Sequence, residues 1–148
     1  MKEGTDMKPL NSVKIAFPSK SINEGFARSV VACFAAQADP TLDQLADIKT
    51  AVSEAVTNCI VHGYKDTIGM ITVTASFYEG NELRVIVADR GCGIEDVQQA
   101  MQPLFTTGGE ERAGLGFAVM ESFMDQIRVS SKPGKGTRVT LIKKLGPR

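Results

Sequence analysis

Two different spacings of apolar residues organise the first forty positions of the chain. In VKIAF, residues 13–17, apolar and polar positions alternate, which predicts a β-strand that ends at Pro18. Apolar residues then recur at four-residue intervals, and this period predicts a helix that ends at Asp39-Pro40. The expected buried stripe of this helix consists of Ile22, Phe26, Val30 and Phe34. The N-terminal part is therefore interpreted as a strand followed by a helix.

A second helix is predicted to begin at Thr41, whose side chain can form a capping box with Gln44. Gly63 marks its end, because glycine commonly terminates helices. Its buried stripe is expected to contain Leu45, Ile48, Val52, Ala55 and Cys59. Glu54 and Asn58 lie four residues apart at the edge of that stripe, so their side chains should project side by side where a ligand could lie.

Alternating apolar segments in the second half of the chain predict two β-hairpins. Their strands are ITVTASFY, LRVIVA, QIRVSS and TRVTLI. The first pair is joined by the turn at 79–82, and the second pair by the turn KPGKG at 132–136. Because strands come in neighbouring pairs with helices in between, the expected fold is α+β, an α/β sandwich with a mostly antiparallel mixed sheet and helices on one face.

Composition narrows the class of protein. The 148 residues are 43% hydrophobic, which suits a single domain at residues 13–145 after a flexible segment at 1–12. Seventeen Lys and Arg residues balance seventeen Asp and Glu residues, so direct nucleic-acid binding is not expected. The absence of a membrane-length apolar run and of a secretory signal favours a cytoplasmic protein. The three cysteines are odd in number and far apart, so they are interpreted as free thiols. A structural zinc site is not expected, because Cys59 and His62 lack a second pair of zinc ligands.

The stretch SEAVTNCIVHG, residues 53–63, contains the first candidate chemistry. The carboxylate of Glu54 could orient or deprotonate a hydroxyl group, and the amide oxygen of Asn58 could bind Mg²⁺. Alternatively, both residues could belong only to the solvated face of an amphipathic helix. The choice depends on the other motifs of the chain.

Glycines follow the apolar strand LRVIVA in the sequence ADRGCGIED. Asp89 ends the strand, and Gly91 and Gly93 would let the backbone approach a ligand closely, although a simple turn is the alternative. The third glycine of a dinucleotide fingerprint and the phosphate loop GxxxxGK(S/T) are both absent. Gly114 and Gly116 open an apolar helix whose first N–H groups could bind an anion. These motifs therefore predict a nucleotide site of a different type.

The three blocks, in this order, resemble the ATP-binding module shared by DNA gyrase, the Hsp90 chaperones, sensor histidine kinases and MutL. The resemblance runs from about Thr41 to Thr137, with SEAVTN as the N box, DRGCG as the G1 box and GLG as the G2 box. The segments SEAVTN, HGY, QPLFTT, ERAGLGF and MESFMD also resemble the anti-sigma F factor family of endospore-forming bacteria. The resemblance implies a Bergerat-type ATP-binding fold.

The resemblance also implies roles for residues at both ends of a bound ATP. Asp89 would accept a hydrogen bond from the exocyclic amine of adenine, and Thr137 would help to hold the adenine, unless it is an ordinary strand threonine. Arg112 would meet the terminal phosphate, with a solvated surface position as the alternative. The other implied cofactor-binding residues are Asn58 as the Mg²⁺ ligand, Gly91 and Gly93 near base and sugar, Thr106 and Thr107 in a lid, and Gly114, Leu115 and Gly116 as donors to the triphosphate.

Two further residues receive roles from the resemblance. Glu54 would be the catalytic base that activates a serine hydroxyl of a substrate protein, and Arg28 on the first helix would contact protein partners. His62, the only histidine, is expected to be structural and not a phosphoacceptor, because it lies at the C-terminus of a helix, where a cation is favoured.

Taken together, the resemblance implies an anti-sigma factor that binds ATP or ADP with Mg²⁺ and forms a homodimer. It would inhibit a sporulation sigma factor and, as a protein serine kinase, phosphorylate a serine of an anti-anti-sigma protein. The alternative is an ATP-responsive binding module without significant kinase activity, although Glu54 favours the kinase. A sensor histidine kinase would also need a phosphoacceptor helix, which this sequence lacks.

Overall fold

The computed structural model describes residues 8–101 and 109–146. Its strands are β1 (Asn11–Pro18), β2 (Met70–Tyr78), β3 (Glu82–Asp89), β4 (Gln126–Lys132) and β5 (Gly136–Lys144). Its helices are α1 (Ile22–Ala35), α2 (Leu42–Asn58), α3 (Val97–Ala100) and α4 (Gly109–Phe123). Single turns of 3-10 and π helix, Ala36–Ala38 and Cys59–Gly63, follow α1 and α2.

The strands form one sheet in the order β1-β2-β3-β5-β4, and each neighbouring pair is antiparallel. Both predicted hairpins are present, β2 with β3 and β4 with β5. In β3 the residues facing the helices alternate with half-exposed ones, so that Leu83, Val85 and Val87 enter the core. The α+β architecture, with helices packed on one face of an antiparallel sheet, is thus confirmed.

The first strand begins earlier than its apolar alternation predicts. Asn11 and Ser12 pair with Phe77 and Ser76 of β2, and the backbone N–H of Leu10 donates to the carbonyl of Phe77. Residues 11 and 12 therefore belong to the sheet and not to a flexible N-terminal segment. The reason is that strand pairing satisfies backbone groups whatever the side chains are.

The apolar stripe predicted for α1 is wrong. Ile22 and Phe26 are 81% and 55% exposed, and of the four expected residues only Phe34 is buried. Instead α1 buries Ala27, Val31 and Ala35, which also lie four residues apart. Small side chains allow α1 to approach α2 closely, so the tertiary packing selects the less apolar of two possible stripes.

Helix α2 follows its sequence signals closely. The Thr41 hydroxyl accepts the N–H of Gln44, and the Gln44 side chain accepts the N–H of Thr41, so the predicted capping box is present. After Asn58 the helix widens, because the N–H of Tyr64 donates to the carbonyl of Cys59, five residues earlier. Such π turns are frequent at functional sites.

Within the described residues, no helix is both long and apolar enough to cross a membrane.

Candidate nucleotide site

Asp89 lies at the end of β3 on the side of the sheet that faces the helices. Its side chain is buried, and its Oδ1 accepts the backbone N–H groups of Gly91 at 2.8 Å and of Thr137 at 3.3 Å. These two donors come from the turn after β3 and from the start of β5. The carboxylate is therefore held in one orientation by backbone groups.

A buried thiol lies against this carboxylate. Burial raises the pKa of Cys59 well above its usual value, and the charge of Asp89 and a hydrogen bond to Asp89 add to the shift. The thiol of Cys59 therefore remains protonated and can serve Asp89 as a donor from the helix side. From the sequence, Cys59 was expected only to belong to the buried stripe of α2.

The turn after β3 packs directly on other backbone segments, and its glycines make this possible. A Cβ placed on Gly91 would overlap the carbonyl oxygen of Gly63. Gly93 has a φ of +75°, and a Cβ there would overlap the carbonyl oxygen of Lys132. The close approach that these glycines allow is thus made to protein backbone, and their predicted approach to a ligand stays a prediction.

Hydrogen bonds hold the same turn from both sides. The N–H of Cys92 donates to the Gly63 carbonyl at 2.9 Å, and the N–H of Gly134 donates to the Cys92 carbonyl at 2.7 Å. The turn thus lies between the end of α2 and the hairpin turn of β4 and β5. His62 contributes its carbonyl oxygen, which accepts the Cys92 thiol at 3.0 Å.

Tyr64 is a site residue whose role the sequence analysis missed. It is buried; its hydroxyl donates to the carbonyl of Met70 at 2.6 Å and accepts the N–H of Arg90 at 2.7 Å. Because Arg90 follows Asp89, this phenol anchors the backbone beside the carboxylate. The only available signal was its place in the HGY motif.

Glu54 and Asn58 project from α2 toward Gly116 in α4. A Cβ on Gly116 would lie 3.2 Å from Oε2 of Glu54 and 3.2 Å from both amide atoms of Asn58. The expected pairing of these two side chains is present, and the helix that carries the G2 glycine closes over it. At Gly116, α4 therefore approaches the side chains of α2 so closely that little room is left for any side chain larger than that of glycine.

The amide of Asn58 also tests whether the site suits a metal-bound nucleotide. Its Nδ2 is buried and has no hydrogen-bond partner among the described residues. A buried polar group without a partner is costly, and a bound ligand would supply the missing interaction. Since the amide oxygen and nitrogen can exchange places by rotation, the same position suits an oxygen ligand for Mg²⁺.

The other residues of the predicted phosphate end are only partly described. Thr106 and Thr107 lie outside the described residues. The prediction that Gly114 and Gly116 open this helix is wrong, because α4 already begins at Gly109 and both glycines lie inside it. The backbone of Arg112 lies in the first turns of α4, and its side chain is outside the described part of the structure. Leu115 is 51% exposed and Gly116 is buried.

Arg28 lies at the contact between α1 and α2, about half-exposed. Its Nη1 is 3.6 Å from Oε2 of Glu24 and 3.5 Å from the hydroxyl of Ser53, and that hydroxyl donates to Glu24 at 2.5 Å. Ser53 immediately precedes Glu54. The arrangement links the predicted partner-contacting residue to the helix that carries the predicted base.

The sequence is similar to that of proteins from one family. Residues 17–143 match the histidine kinase-like ATPase domain family. The chain is 60% identical over 141 residues to the anti-sigma F factor of Thermoanaerobacter sp. (strain X514), covering 95% of this chain and 98% of the relative. It is 57% identical over 134 residues to the anti-sigma F factor of Clostridium kluyveri (strain ATCC 8527), covering 90% and 94%.

Solved structures show the same fold. The RsbU and RsbW domains of Rv1364c from Mycobacterium tuberculosis superpose with a TM-score of 0.69 at 22% identity, covering 95% of this chain and 34% of that one. The histidine kinase domain of the Erythrobacter litoralis EL346 blue-light activated histidine kinase gives a TM-score of 0.54 at 20% identity, covering 87% and 62%. At such identities the likeness concerns the fold alone.

Proposed function

Because the chain belongs to the anti-sigma F factors and contains a histidine kinase-like ATPase domain, we propose that it is a nucleotide-controlled inhibitor of a sporulation sigma factor and a protein serine kinase. In this proposal it binds ATP or ADP with Mg²⁺ and transfers the terminal phosphoryl group of ATP to a serine of an anti-anti-sigma protein. The observation that carries the proposal is the pairing of Glu54 and Asn58 opposite Gly116, with Asp89 held at the other end of the site.

Asp89 supports the choice of adenine. With Oδ1 occupied by two backbone donors, the remaining acceptor capacity of the carboxylate suits the exocyclic amine of adenine. Guanine would place an oxygen at the same point, and two acceptors facing each other would cost roughly 1–3 kcal/mol. We therefore infer a preference for ATP and ADP over GTP and GDP.

The phosphate end would be formed by α2 and α4. Asn58 offers an oxygen ligand for Mg²⁺, which when bound neutralises phosphate charge. Roles for Gly114, Leu115 and Gly116 at the triphosphate rest on the family resemblance, because these residues lie inside α4, which begins at Gly109. Glu54, beside Asn58, would accept the proton of the attacking serine hydroxyl. Roles for Thr106 and Thr107 in a lid and for Arg112 at the terminal phosphate rest on the family resemblance.

Helix α1 supports a role in binding proteins. Ile22 and Phe26 are exposed apolar residues one turn apart on the side of α1 away from its buried stripe, and Arg28 lies at the edge toward α2. Exposed apolar residues of this kind are typical of contact surfaces between proteins. We propose that α1 contributes to a homodimer and to partner binding, with Arg28 in contact with the partner.

We further propose that the sigma factor is bound more tightly with ATP than with ADP. The terminal phosphate can change the contacts of the segment at 107–116, and a ligand shifts a protein between states only by such differential contacts. Coupling of this kind usually amounts to ~1–3 kcal/mol, or about 5- to 150-fold in partner affinity.

The test combines nucleotide titration with phosphate transfer. Calorimetry should show binding of ADP that requires Mg²⁺ and is at least about fivefold tighter than that of GDP, given the acceptor clash above. Radiolabelled ATP should then label an anti-anti-sigma protein on serine. Equal affinity for GDP would contradict the adenine assignment, and binding without transfer would leave the ATP-responsive binding module as the function.

A further inference from the structure

Ser131 has contacts with three separate parts of the candidate site. It lies in β4, directly opposite Thr137 of β5. Its Oγ accepts the backbone N–H of Ile94 at 2.7 Å, donates to the carbonyl of Gly136 at 3.0 Å, and lies 2.8 Å from the hydroxyl oxygen of Thr137. One half-buried hydroxyl group thus joins the end of the turn after β3 to the first two residues of β5.

The single hydroxyl proton of Ser131 determines how the hydroxyl group of Thr137 is oriented. Ser131 has a single hydroxyl proton, and when this proton is donated to the Gly136 carbonyl it cannot also be donated to Thr137. The contact of 2.8 Å is then a bond in which Thr137 donates to Ser131. The hydroxyl proton of Thr137 then points toward Ser131. The lone pairs of the Thr137 oxygen point away from Ser131 and can accept hydrogen bonds.

Thr137 is in turn connected to the adenine-binding carboxylate. Its backbone N–H donates to Oδ1 of Asp89, and a Cβ on Gly136 would overlap the carbonyl oxygen of Asp89. The segment that Ser131 holds is therefore the one that orients Asp89. A small change in the position of Gly136 and Thr137 would move the carboxylate as well.

From these contacts we infer that Ser131 is a positioning residue for the adenine end of the nucleotide site. It fixes the rotamer and the donor direction of the Thr137 hydroxyl beside the Asp89 carboxylate. This inference rests on the proposed function, because it concerns adenine binding by Asp89 and Thr137. A purely structural role for Ser131, as an ordinary cross-strand Ser–Thr pair, is the competing explanation.

A double-mutant cycle in ADP affinity separates the two explanations. Ser131→Ala should lower ADP affinity roughly 3- to 10-fold, the usual scale of one hydrogen bond. The matched control is Ser130→Ala, an exposed residue on the opposite face of the same strand, which should leave ADP affinity unchanged. In a Thr137→Val background, Ser131→Ala should change the affinity less than about twofold, since the two residues act as one unit.

Each outcome has a defined meaning. Unchanged ADP affinity in Ser131→Ala, or a full additional loss in the Thr137→Val background, would overturn the positioning role. If Ser131→Ala does not fold, Ser131→Cys retains the shape with a weaker hydrogen-bonding group and should show the same coupling to Thr137. A wild-type protein that does not bind ADP would overturn the proposed function as well, whereas binding that Ser131 does not influence would overturn this inference alone.

Discussion

The backbone N–H of Cys92 donates to the carbonyl oxygen of Gly63 at 2.9 Å. This bond ties the turn after β3, which begins at Asp89, to the end of α2, which carries Glu54 and Asn58. The two ends of the proposed ATP site are therefore held at a fixed separation by backbone atoms. A side chain added at a glycine of this junction should therefore disturb the site.

Gly91→Ala should prevent that approach. Its Cβ would overlap the Gly63 carbonyl, and we expect a loss of about 1–3 kcal/mol in the free energy of unfolding together with much weaker ADP binding. Gly134→Ala is the matched control: nothing lies within 4 Å of its Cβ, but its φ of +74° also costs roughly 1–2 kcal/mol. Equal ADP affinities in calorimetry of the two variants would contradict this explanation.

Asp89→Asn should weaken ADP binding by roughly 1–3 kcal/mol, or about 5- to 150-fold, while the protein stays folded. The asparagine oxygen can still accept from Gly91 and Thr137, but the new amide would place a donor against the adenine amine. Calorimetry and thermal unfolding measure the two effects, and Asp66→Asn on the exposed loop before β2 is the control. Unchanged ADP affinity in Asp89→Asn would refute the assignment.

Glu54→Gln should retain nucleotide binding but lose ~10²–10⁴-fold in the rate of serine phosphorylation, the usual contribution of a positioned base. The amide has nearly the same shape, so the gap opposite Gly116 is preserved. Radiolabel transfer at saturating ATP is the measurement. A rate within a few-fold of wild type would show that Glu54 is not the base.

Arg28→Ala should weaken the complex with the sigma factor by about 2 kcal/mol, or roughly 30-fold, the scale of an arginine that is a hot spot of a protein interface. The bond between Ser53 and Glu24 remains in this variant, so α1 and α2 should stay in contact and ADP affinity should be unchanged. Lys20→Ala, an exposed cation just before α1, is the control for general charge. Equal losses in both variants would contradict a specific contact by Arg28.

Cys59 should make stability depend on pH in the alkaline range. Because burial raises its pKa, the folded protein holds the thiol proton at pH values where the unfolded chain, with a pKa of ~8.5, has lost it. The associated stability is complete below that value and is lost as pH rises further. Urea unfolding at neutral and alkaline pH should therefore show a larger decrease for wild type than for Cys59→Ala; identical decreases would disprove the linkage.

Sequence periodicity predicted most of the helices and strands, because these elements depend on residues that are close together in the sequence. The capping box of Thr41 and Gln44 and the two hairpins are local features, and they appear as expected. The spacing of Glu54 and Asn58 on a helix likewise fixes their common direction. The alternation in β3 also determines that Asp89 shares the buried face of Val85 and Val87.

The same periodicity could not choose between two stripes of α1. Ile22 and Phe26 are more apolar than Ala27 and Ala35, yet the alanines are buried, because close packing against α2 needs small side chains. A local pattern shows which residues share a face of the helix, but it does not show which other element packs against that face.

By itself, then, the sequence determined the element types, the family resemblance and the residues expected to recognise adenine. Only the tertiary structure decided how they meet: β5 pairs with β3, which brings Thr137 to Asp89, and α4 crosses α2, which brings Gly116 to Glu54. Ser131 and Tyr64 acquire their roles from these long-range contacts, since a hydroxyl group becomes significant only when its partners arrive from distant parts of the chain.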